Sequence, residues 1–192
     1  MNAHLTALAA HTRKWSPKIN LVAKSTLAEV EQRHVQDSTQ LSAYLPDLDA
    51  KIVDLGSGGG FPGLALVCLG YRQVTLVDSD SRKMSACRAF LRERGLSATL
   101  LTTRIEALDF KNQDVVTARA LAPLDQLLGW AVPLLGPEGR CLFLKGAQAE
   151  AEIEEAKKRF DFQLKIHDSL SSPEGSVLEL SHVQIRLQDS QP

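Results

Sequence analysis

The residues best suited to chemistry lie in one glycine-rich stretch, which runs from Asp54 to Gly63 with the sequence DLGSGGGFPG. Glycine has no Cβ atom, so it adopts positive φ angles easily and lets a ligand approach the backbone closely. The stretch follows a short apolar segment, Ile52 to Leu55, and precedes the apolar run from Leu64 to Leu69. A strand, a glycine turn and a helix in this order are typical of sites that bind a nucleotide-like ligand.

Two classes of ligand fit this turn by spacing. Gly58, Gly60 and Gly63 satisfy the G-x-G-x-x-G fingerprint of dinucleotide sites, and Asp78 lies downstream at about the distance of a ribose-binding acid. An NAD-binding oxidoreductase or sensor domain is therefore one interpretation. The other is a site for S-adenosylmethionine (SAM), which also carries a ribose but has no phosphate.

The carboxylate of Asp54 favours the second interpretation. Asp54 stands two residues before Gly56, close to where a dinucleotide would place its pyrophosphate. Two like charges about 4 Å apart repel by roughly 4 kcal/mol at an effective dielectric of 20. SAM carries an ammonium and a sulfonium group, so a nearby carboxylate attracts it instead. We therefore expect Asp54 to face a cationic SAM.

Candidate site residues also stand at the ends of the next predicted strands. Asp78 could accept hydrogen bonds from both ribose hydroxyls, or it could cap the following helix. Ile105 and Glu106 follow the third strand, where an adenine would lie. They could contact the cofactor or simply form a strand-to-helix connection, and spacing alone does not favour either alternative. Lys145, after the fifth strand, could contact a phosphate or simply be solvated.

Arg119 ends the fourth predicted strand, and a charged residue at a strand tip faces a pocket more often than the core. It could bind the carboxylate of the methionine moiety or hold the substrate. It could also pair with Glu106 or Asp125.

Short apolar strands that alternate with single helices must position these residues. Single helices between strands imply right-handed crossovers, with the ligand site at the carboxyl ends of the strands. We therefore predict an α/β fold with a doubly wound, mainly parallel, seven-stranded Rossmann-like sheet. The predicted strands span residues 52–55, 74–77, 98–102, 115–118, 141–144, 162–166 and 177–187, and the helices 62–69, 82–94, 124–135 and 149–160.

The first 49 residues lack strand-like runs and form a predicted helical segment ahead of the predicted SAM-binding domain at residues 50–192. Thr26 with Glu29 three residues later has the form of a capping box, which predicts that a helix begins there. Farther along, His34 and Asp37 lie one helical turn apart and could be part of a site or form a buried, hydrogen-bonded pair, of which we favour the pair.

The overall charge limits how the chain can bind nucleic acid. It holds 22 Lys and Arg against 23 Asp and Glu, a formal net charge of −1, so a globally basic nucleic-acid binder is excluded. Two local basic runs, within residues 1–36 and 81–94, remain as candidate RNA contacts. Trp15, in the first run, could stack on a base or pack the N-terminal helices against the main domain.

The cysteines and the apolar runs indicate the cellular compartment of the protein. Cys68, Cys87 and Cys141 are far apart among apolar neighbours, without zinc-ligand spacing, and we predict reduced core residues. The N-terminus does not resemble a signal peptide, and no apolar run reaches the length of a membrane span. We therefore expect a cytoplasmic protein without a membrane partner.

From Lys14 to Gly146 the chain resembles the bacterial 16S rRNA (guanine-N7) methyltransferases, the RsmG or glucose-inhibited division protein B family. The matching residues besides the glycine-rich stretch are Lys14-Trp15, Asn20-Leu21, Arg33-His34, Asp37-Ser38, Leu76-Val77-Asp78-Ser79, Arg82-Lys83, Arg104-Ile105-Glu106, Arg119-Ala120 and Leu144-Lys145-Gly146. The resemblance implies that SAM contacts Gly56, Phe61, Asp78, Ile105, Glu106 and Arg119. It also implies that 16S rRNA or the small ribosomal subunit is the substrate, and we expect a monomer.

Guanine N7 has an in-plane lone pair and no proton to lose, so its methylation needs neither a general base nor a covalent nucleophile. We therefore expect no catalytic residue in the strict sense and a rate that comes mainly from alignment of the reactants. The third alternative is a non-catalytic rRNA-binding assembly factor that keeps the fold.

Overall fold

Seven strands form one sheet in a computed structural model that describes residues 2–186 of the chain. The strands are β1 Lys51–Leu55, β2 Gln73–Asp78, β3 Thr99–Thr102, β4 Gln113–Arg119, β5 Leu135–Lys145, β6 Phe160–Asp168 and β7 Ser176–Ile185. Their order is β3-β2-β1-β4-β5-β7-β6; β1 to β5 pair in parallel, and β7 is antiparallel to both β5 and β6. The predicted α/β sheet is confirmed, with Leu187 of the last predicted strand outside the described residues.

Helices cover both faces of this sheet. They are α1 Ala3–Ile19, α2 Asp37–Thr39, α3 Gly63–Cys68, α4 Ser81–Arg94, α5 Leu124–Ala131 and α6 Ala149–Ala156. The side chains of β1 alternate between the two faces. Ile52 joins the core under α1, α3 and α4, whereas Val53 and Leu55 join the core under α5 and α6. The sheet therefore has two apolar cores, as the doubly wound fold requires.

The chain reverses its direction across the sheet between β1 and β4. β2 and β3 extend the sheet on one side of β1, and β4 begins the other side. The loops that follow β1 and β4 therefore diverge and leave a crevice between them, at the point where open α/β sheets bind their ligands.

The N-terminal segment is helical but less regular than predicted. Asn2 caps α1 by accepting a hydrogen bond from the Leu5 amide, and the helix ends at Asn20 in a left-handed conformation. No helix begins at Thr26, so the predicted capping box is wrong. The Thr26 hydroxyl is engaged with His34 Nε2 at 2.7 Å, and the next helical turn, a π-helix, spans Glu31–Gln36.

Other element boundaries shift by several residues. Phe160, predicted as the end of a helix, is buried and begins β6, where it pairs with Ile185. The predicted helix 62–69 begins at Gly63, and the predicted strand 141–144 extends back to Leu135. In β5 the early part contains two glycines and a proline, which weaken the strand pattern, but pairing with Gln113 of β4 still holds it in the sheet.

The three cysteines are free and buried, as the sequence predicts. Burial raises the pKa of the Cys68 and Cys87 thiols to about 12, so both stay protonated at neutral pH. Within residues 2–186, no helix has the length and apolar character needed to cross a membrane.

Candidate cofactor and substrate site

Two cavities lie side by side at the carboxyl ends of the parallel strands. The smaller, about 180 Å³, is lined by Gly56, Asp78, Ser79, Thr103, Arg104, Ile105, Glu106, Leu121 and Trp130. The larger, about 490 Å³, includes Thr26, Arg33, His34, Asp37, Arg119, Leu121, Lys145, Glu152, Ser169 and Ser171 in its lining. Leu121 lines both cavities and therefore separates them.

The glycine turn after β1 needs its glycines for two reasons. Gly56, Gly58 and Gly60 all have positive φ, between 53° and 91°, where other residues are strained. A Cβ atom on Gly56 would also lie 2.5 Å from Leu121 Cδ1. The turn thus brings bare backbone to the boundary between the two cavities.

Asp54 does not face either cavity, so the expectation that its carboxylate meets a cationic ligand is wrong. The side chain is fully buried (0% exposed) behind the glycine turn. Its Oδ2 accepts a hydrogen bond from Gly63 N at 3.0 Å, and its Oδ1 accepts one from Thr117 Oγ1 at 3.0 Å. Burial raises the pKa of Asp54 to about 6. Asp54 thus holds the start of α3 against β4.

Asp78 lines the smaller cavity and also supports the glycine turn. Its Oδ2 accepts a hydrogen bond from Gly58 N at 2.8 Å, and its Oδ1 accepts one from Asp80 N at 2.8 Å. The cap of α4 is Asp80, whose carboxylate accepts hydrogen bonds from Arg82 N and Lys83 N. A carboxylate has about four lone-pair sites, so Asp78 retains acceptor capacity for a ligand.

The far side of the smaller cavity is formed by Ile105 and Glu106, in a short 3-10 turn after β3, and by Trp130 of α5. Sequence reasoning missed Trp130. The signal was present in α5, where Leu124, Leu127, Leu128 and Ala131 are buried and Trp130 lies off that face. An aromatic residue off the buried face of a helix that packs beside the crevice is a candidate ligand contact.

Arg119 lines the larger cavity, and Phe61 lies behind it. The Phe61 ring is buried (3% exposed), with the Arg119 guanidinium carbon 5.4 Å and the His34 ring 5.5 Å from its centroid. Arg119 donates a hydrogen bond to the carbonyl oxygen of Arg33 at 3.1 Å and lies 3.6 Å from Asp37 Oδ2. Its acidic partner is therefore Asp37, and neither Glu106 nor Asp125 takes that place.

Asp37 joins three parts of the chain around the larger cavity. Besides Arg119 at the tip of β4, its carboxylate accepts hydrogen bonds from Gln40 Nε2 at 3.0 Å and from Ser171 Oγ at 2.6 Å. Ser171 belongs to the loop between β6 and β7. The expected pairing of His34 with Asp37 is wrong, because His34 Nε2 instead bonds to the Thr26 hydroxyl.

Lys145 at the end of β5 lines the larger cavity, and only 8% of its side chain is exposed. Its ammonium donates a hydrogen bond to the carbonyl oxygen of Ala122 at 2.7 Å and forms an ion pair with Glu152. A solvated loop lysine, the alternative left open by the sequence, does not describe this arrangement.

The predicted site residues thus gather at one edge of the sheet. Gly56, Asp78, Ile105 and Glu106 line the smaller cavity, and Arg119 lines the larger one. Phe61 reaches neither and packs against Arg119. Cofactor binding by these residues stays a prediction.

Gly59→Ala should destabilise the protein and weaken cofactor binding. A Cβ atom at this position would lie 2.7 Å from the carbonyl oxygen of Leu21, which follows α1. Because that contact is with backbone, either the turn or the N-terminal segment must shift, and we expect a loss of about 1–3 kcal/mol in the free energy of unfolding. Urea denaturation and titration with S-adenosylhomocysteine measure the two effects. Gly129→Ala, in α5 with open space around it, is the control and should keep full stability.

His34 should make the protein sensitive to mild acid. Burial, with Arg119 and Arg33 nearby, lowers the pKa of His34 to about 3. The unfolded state therefore takes up a proton near pH 6.5, while the folded state does not. The stability contributed by neutral His34 is present above pH 6.5 and is lost as the pH falls through that value. We expect the stability difference between wild type and His34→Gln to fall by about 2 kcal/mol from pH 7.5 to 5.0 in urea denaturation. An unchanged difference would contradict the burial of a neutral His34.

The strand order, the glycine turn at the reversal point and the adjoining cavity define a Rossmann-like, SAM-dependent methyltransferase fold. The same fold occurs in magnesium protoporphyrin IX methyltransferase from Synechocystis PCC 6803, solved with bound SAM. The two chains superpose with a TM-score of 0.64 at 16% identity, over 94% of this chain and 99% of the other.

The family model for rRNA small subunit methyltransferase G (GidB) matches residues 1–180 of this chain. Ribosomal RNA small subunit methyltransferase G of Parvibaculum lavamentivorans is 46% identical over 92% of this chain and 80% of its own. The protein of the same name from Dinoroseobacter shibae is 43% identical over 88% of this chain and 89% of its own. The chain belongs to the rRNA small subunit methyltransferase G family and is a SAM-dependent methyltransferase. The family membership excludes the alternative interpretation of the glycine fingerprint as an NAD-binding site.

Proposed function

We propose that this chain transfers the methyl group of SAM to N7 of a guanine in 16S rRNA. Its smaller cavity would hold the cofactor, and its larger cavity would hold the guanine. The observation that carries this proposal is the adjacency of the two cavities, which share Leu121 above Gly56. Transfer between two bound molecules requires such adjacency, because the attacking atom must lie in line with the methyl group and its leaving sulfur.

The residues of the smaller cavity fit the parts of SAM. Asp78 offers carboxylate acceptors for ribose hydroxyls, and Ile105 and Trp130 offer apolar surface for an adenine ring. Gly56 is bare backbone that a side chain would block. SAM supplies the electrophilic methyl group on its sulfonium. Glu106, exposed at the cavity rim, would accept hydrogen bonds from the ligand.

The larger cavity offers both signs of charge to a guanine. The base carries N–H donors on its N1 and N2 edge and acceptors at O6 and N7. Asp37 could accept from the donors, while Arg119 and Lys145 could donate to the acceptors. The Phe61 ring and Asp37 hold the Arg119 guanidinium in place before a substrate binds. Such preorganisation lets the site align the base without rearranging its own charges.

Methylation of guanine N7 needs no proton transfer. The ionisation of His34 and Arg119 in the larger cavity is consistent with such a reaction. His34 is the histidine in the lining of the larger cavity, and its pKa of about 3 keeps it neutral and unable to act as an acid at neutral pH. Arg119 stays cationic and cannot act as a base. These side chains therefore bind and orient the reactants, and water is excluded as the cavity fills.

Further proposals concern the whole protein. The deep major groove of A-form RNA hides guanine N7, so the target lies in an irregular or single-stranded region, in free rRNA or in a partly assembled subunit. Because rRNA is the proposed substrate, we also propose a cytoplasmic location, and we keep the expectation of a monomer. We also keep the division into a helical segment at residues 1–49 and a methyltransferase domain at 50–192.

Methyl transfer followed by nucleoside analysis tests the reaction. The protein is incubated with methyl-labelled SAM and either 16S rRNA or small subunits, and the RNA is digested and separated by mass spectrometry. We expect the label in 7-methylguanosine. Label in another nucleoside contradicts the N7 assignment. Binding of S-adenosylhomocysteine without transfer to any form of the RNA would favour the non-catalytic assembly factor instead.

A further inference from the structure

The basic residues of α1, from the first basic run, and those of α4 come together on one surface, outside the linings of both cavities. Helix α1 packs beside α4, with His11 Nε2 3.0 Å from the carbonyl oxygen of Ala86 and the His11 ring 5.3 Å from that of Phe90. The basic residues of α1 and α4 therefore form a single patch. The chain as a whole has a net charge of −1, so this is a local concentration of positive charge.

A groove of about 300 Å³ lies between the two helices within this patch. Trp15 and Ile19 form one wall, and the other consists of Ser81, Arg82, Ser85, Ala86 and Ala89. The groove combines an aromatic surface, small apolar side chains and two hydroxyl groups. The Trp15 Nε1 donor is buried and has no hydrogen-bond partner among residues 2–186. Buried polar groups are nearly always paired, so this donor lacks the acceptor that such groups usually have.

Cations surround the indole of Trp15. The ammonium nitrogens of Lys14 and Lys18 lie 5.8 Å and 5.4 Å from its ring centroid. Both lysines are exposed, and neither forms an ion pair within the described part of the chain. Arg82 is 72% exposed and makes only a 3.4 Å contact with Asp80. By contrast, Arg13 on the same helix is paired with Glu31 and contributes little free charge.

The groove opens at the same end of the sheet as the proposed active site. Ser81 follows three residues after Asp78, whose carboxylate holds Gly58. Ile19 ends α1 just before Leu21, whose carbonyl oxygen lies against Gly59. An RNA strand that reaches the cavities can therefore also reach the groove.

We propose that this groove binds an unpaired base of the RNA substrate outside the active site, with Trp15 as the stacking surface and Lys14, Lys18 and Arg82 on the adjacent phosphates. An aromatic platform within a positive patch is how proteins hold single-stranded nucleic acid without reading its sequence. The inference rests on the proposed RNA substrate. It gives the enzyme a second contact that selects unpaired RNA.

The test compares paired lysine variants with the full-length protein and 16S rRNA. Lys14→Gln with Lys18→Gln removes two exposed charges from the groove. Lys157→Gln with Lys158→Gln is the matched control, because those lysines follow α6 and are paired with Glu154 and Glu155. Filter binding at several salt concentrations gives the Kd and its salt dependence, and titration with S-adenosylhomocysteine checks the cofactor site. Poly-L-glutamate serves as a competitor.

We expect the groove variant to bind RNA about ten-fold more weakly than the wild type. Its slope of log Kd against log salt should be smaller than that of the wild type by about 1.4, because two phosphate contacts are lost. Its affinity for S-adenosylhomocysteine and its kcat at saturating RNA should not change. Trp15→Ala should weaken RNA binding to a similar extent, and Trp15→Phe should retain most of it.

If the groove variant keeps the RNA affinity and the salt slope of the wild type, the proposal that the groove binds RNA is wrong, but the proposed function is unaffected. Equal loss in the control pair, or displacement of RNA by poly-L-glutamate at equal charge concentration, would lead to the same conclusion. Absence of RNA binding and methyl transfer in the wild type would overturn the proposed function and the groove together.

Discussion

Replacement of Arg119 by alanine should lower kcat/KM for methyl transfer by about 100-fold while leaving the chain folded. The guanidinium lines the larger cavity, where Asp37 at 3.6 Å and the Phe61 ring hold it in place. The substitution removes a preorganised cation from the cavity and leaves Lys145 as the other cation that could align the base. Initial rates with 16S rRNA at saturating SAM measure the effect.

The matched variant Arg119→Lys keeps the charge but loses the planar fork of donors, so we expect only partial recovery. The affinity for S-adenosylhomocysteine separates the two roles of Arg119. Weaker binding in Arg119→Ala places the guanidinium on the methionine carboxylate, and unchanged binding places it on the guanine. Near wild-type kcat/KM in Arg119→Ala would show that the larger cavity is not the substrate site.

Asp54→Ala should cost about 4 kcal/mol in the free energy of unfolding and abolish measurable cofactor binding. The substitution leaves Gly63 N and Thr117 Oγ1 buried without their acceptor, and each orphaned group costs about 1–3 kcal/mol. The start of α3 and the glycine turn then lose their attachment to β4. Urea denaturation and titration with S-adenosylhomocysteine measure the two losses.

Asp54→Asn is the control that keeps the shape and removes the charge. The pKa of Asp54, raised to about 6 by burial, lies above the ordinary value near 3.8, so the folded state favours the protonated acid. The contribution of the protonated Asp54 to the free energy of unfolding is therefore fully present below pH 3.8. It is lost as the pH rises from there through the folded-state pKa of about 6. Asn does not ionise, so the stability of Asp54→Asn relative to wild type should rise by about 2.4 kcal/mol between pH 4 and 8. A constant difference across that range would contradict the burial of the carboxylate.

The sheet could be predicted from the sequence because its signals are local. Apolar strands, glycine turns and helical periodicity repeat in a βα rhythm, and crossover handedness then leaves few topologies. The ends of elements were less certain where the signals conflict. Phe160 fits the periodicity of a helix but lies in a strand, because its burial between the sheet and α6 outweighs the local preference.

The residues of the smaller cavity could be predicted because strand ends meet at one edge of a parallel sheet. Gly56, Asp78 and the pair Ile105-Glu106 follow three different strands and still line one cavity. The same reasoning failed at Asp54, although alternation along β1 contained the answer. Residue 54 shares its face with Ile52, whose side chain lies in the core under α3, so its carboxylate points beneath the turn.

The partners in the larger cavity could not be predicted from the sequence. Asp37 meets Arg119 and Ser171 only because the N-terminal segment and the β6–β7 loop fold over the crevice from opposite ends of the chain. Trp130 reaches the smaller cavity through the packing of α5. Such long-range contacts depend on the packing of whole elements, which no local pattern specifies.

A crystal structure with bound S-adenosylhomocysteine is the most direct test that the two adjacent cavities are the cofactor and substrate sites. We expect the adenine beside Ile105 and Trp130, the ribose on Asp78, and the sulfur at Gly56 with its open side toward Arg119. An adenine in the larger cavity, or a ligand that leaves Asp78 and Gly56 without contact, would contradict the assignment of both cavities.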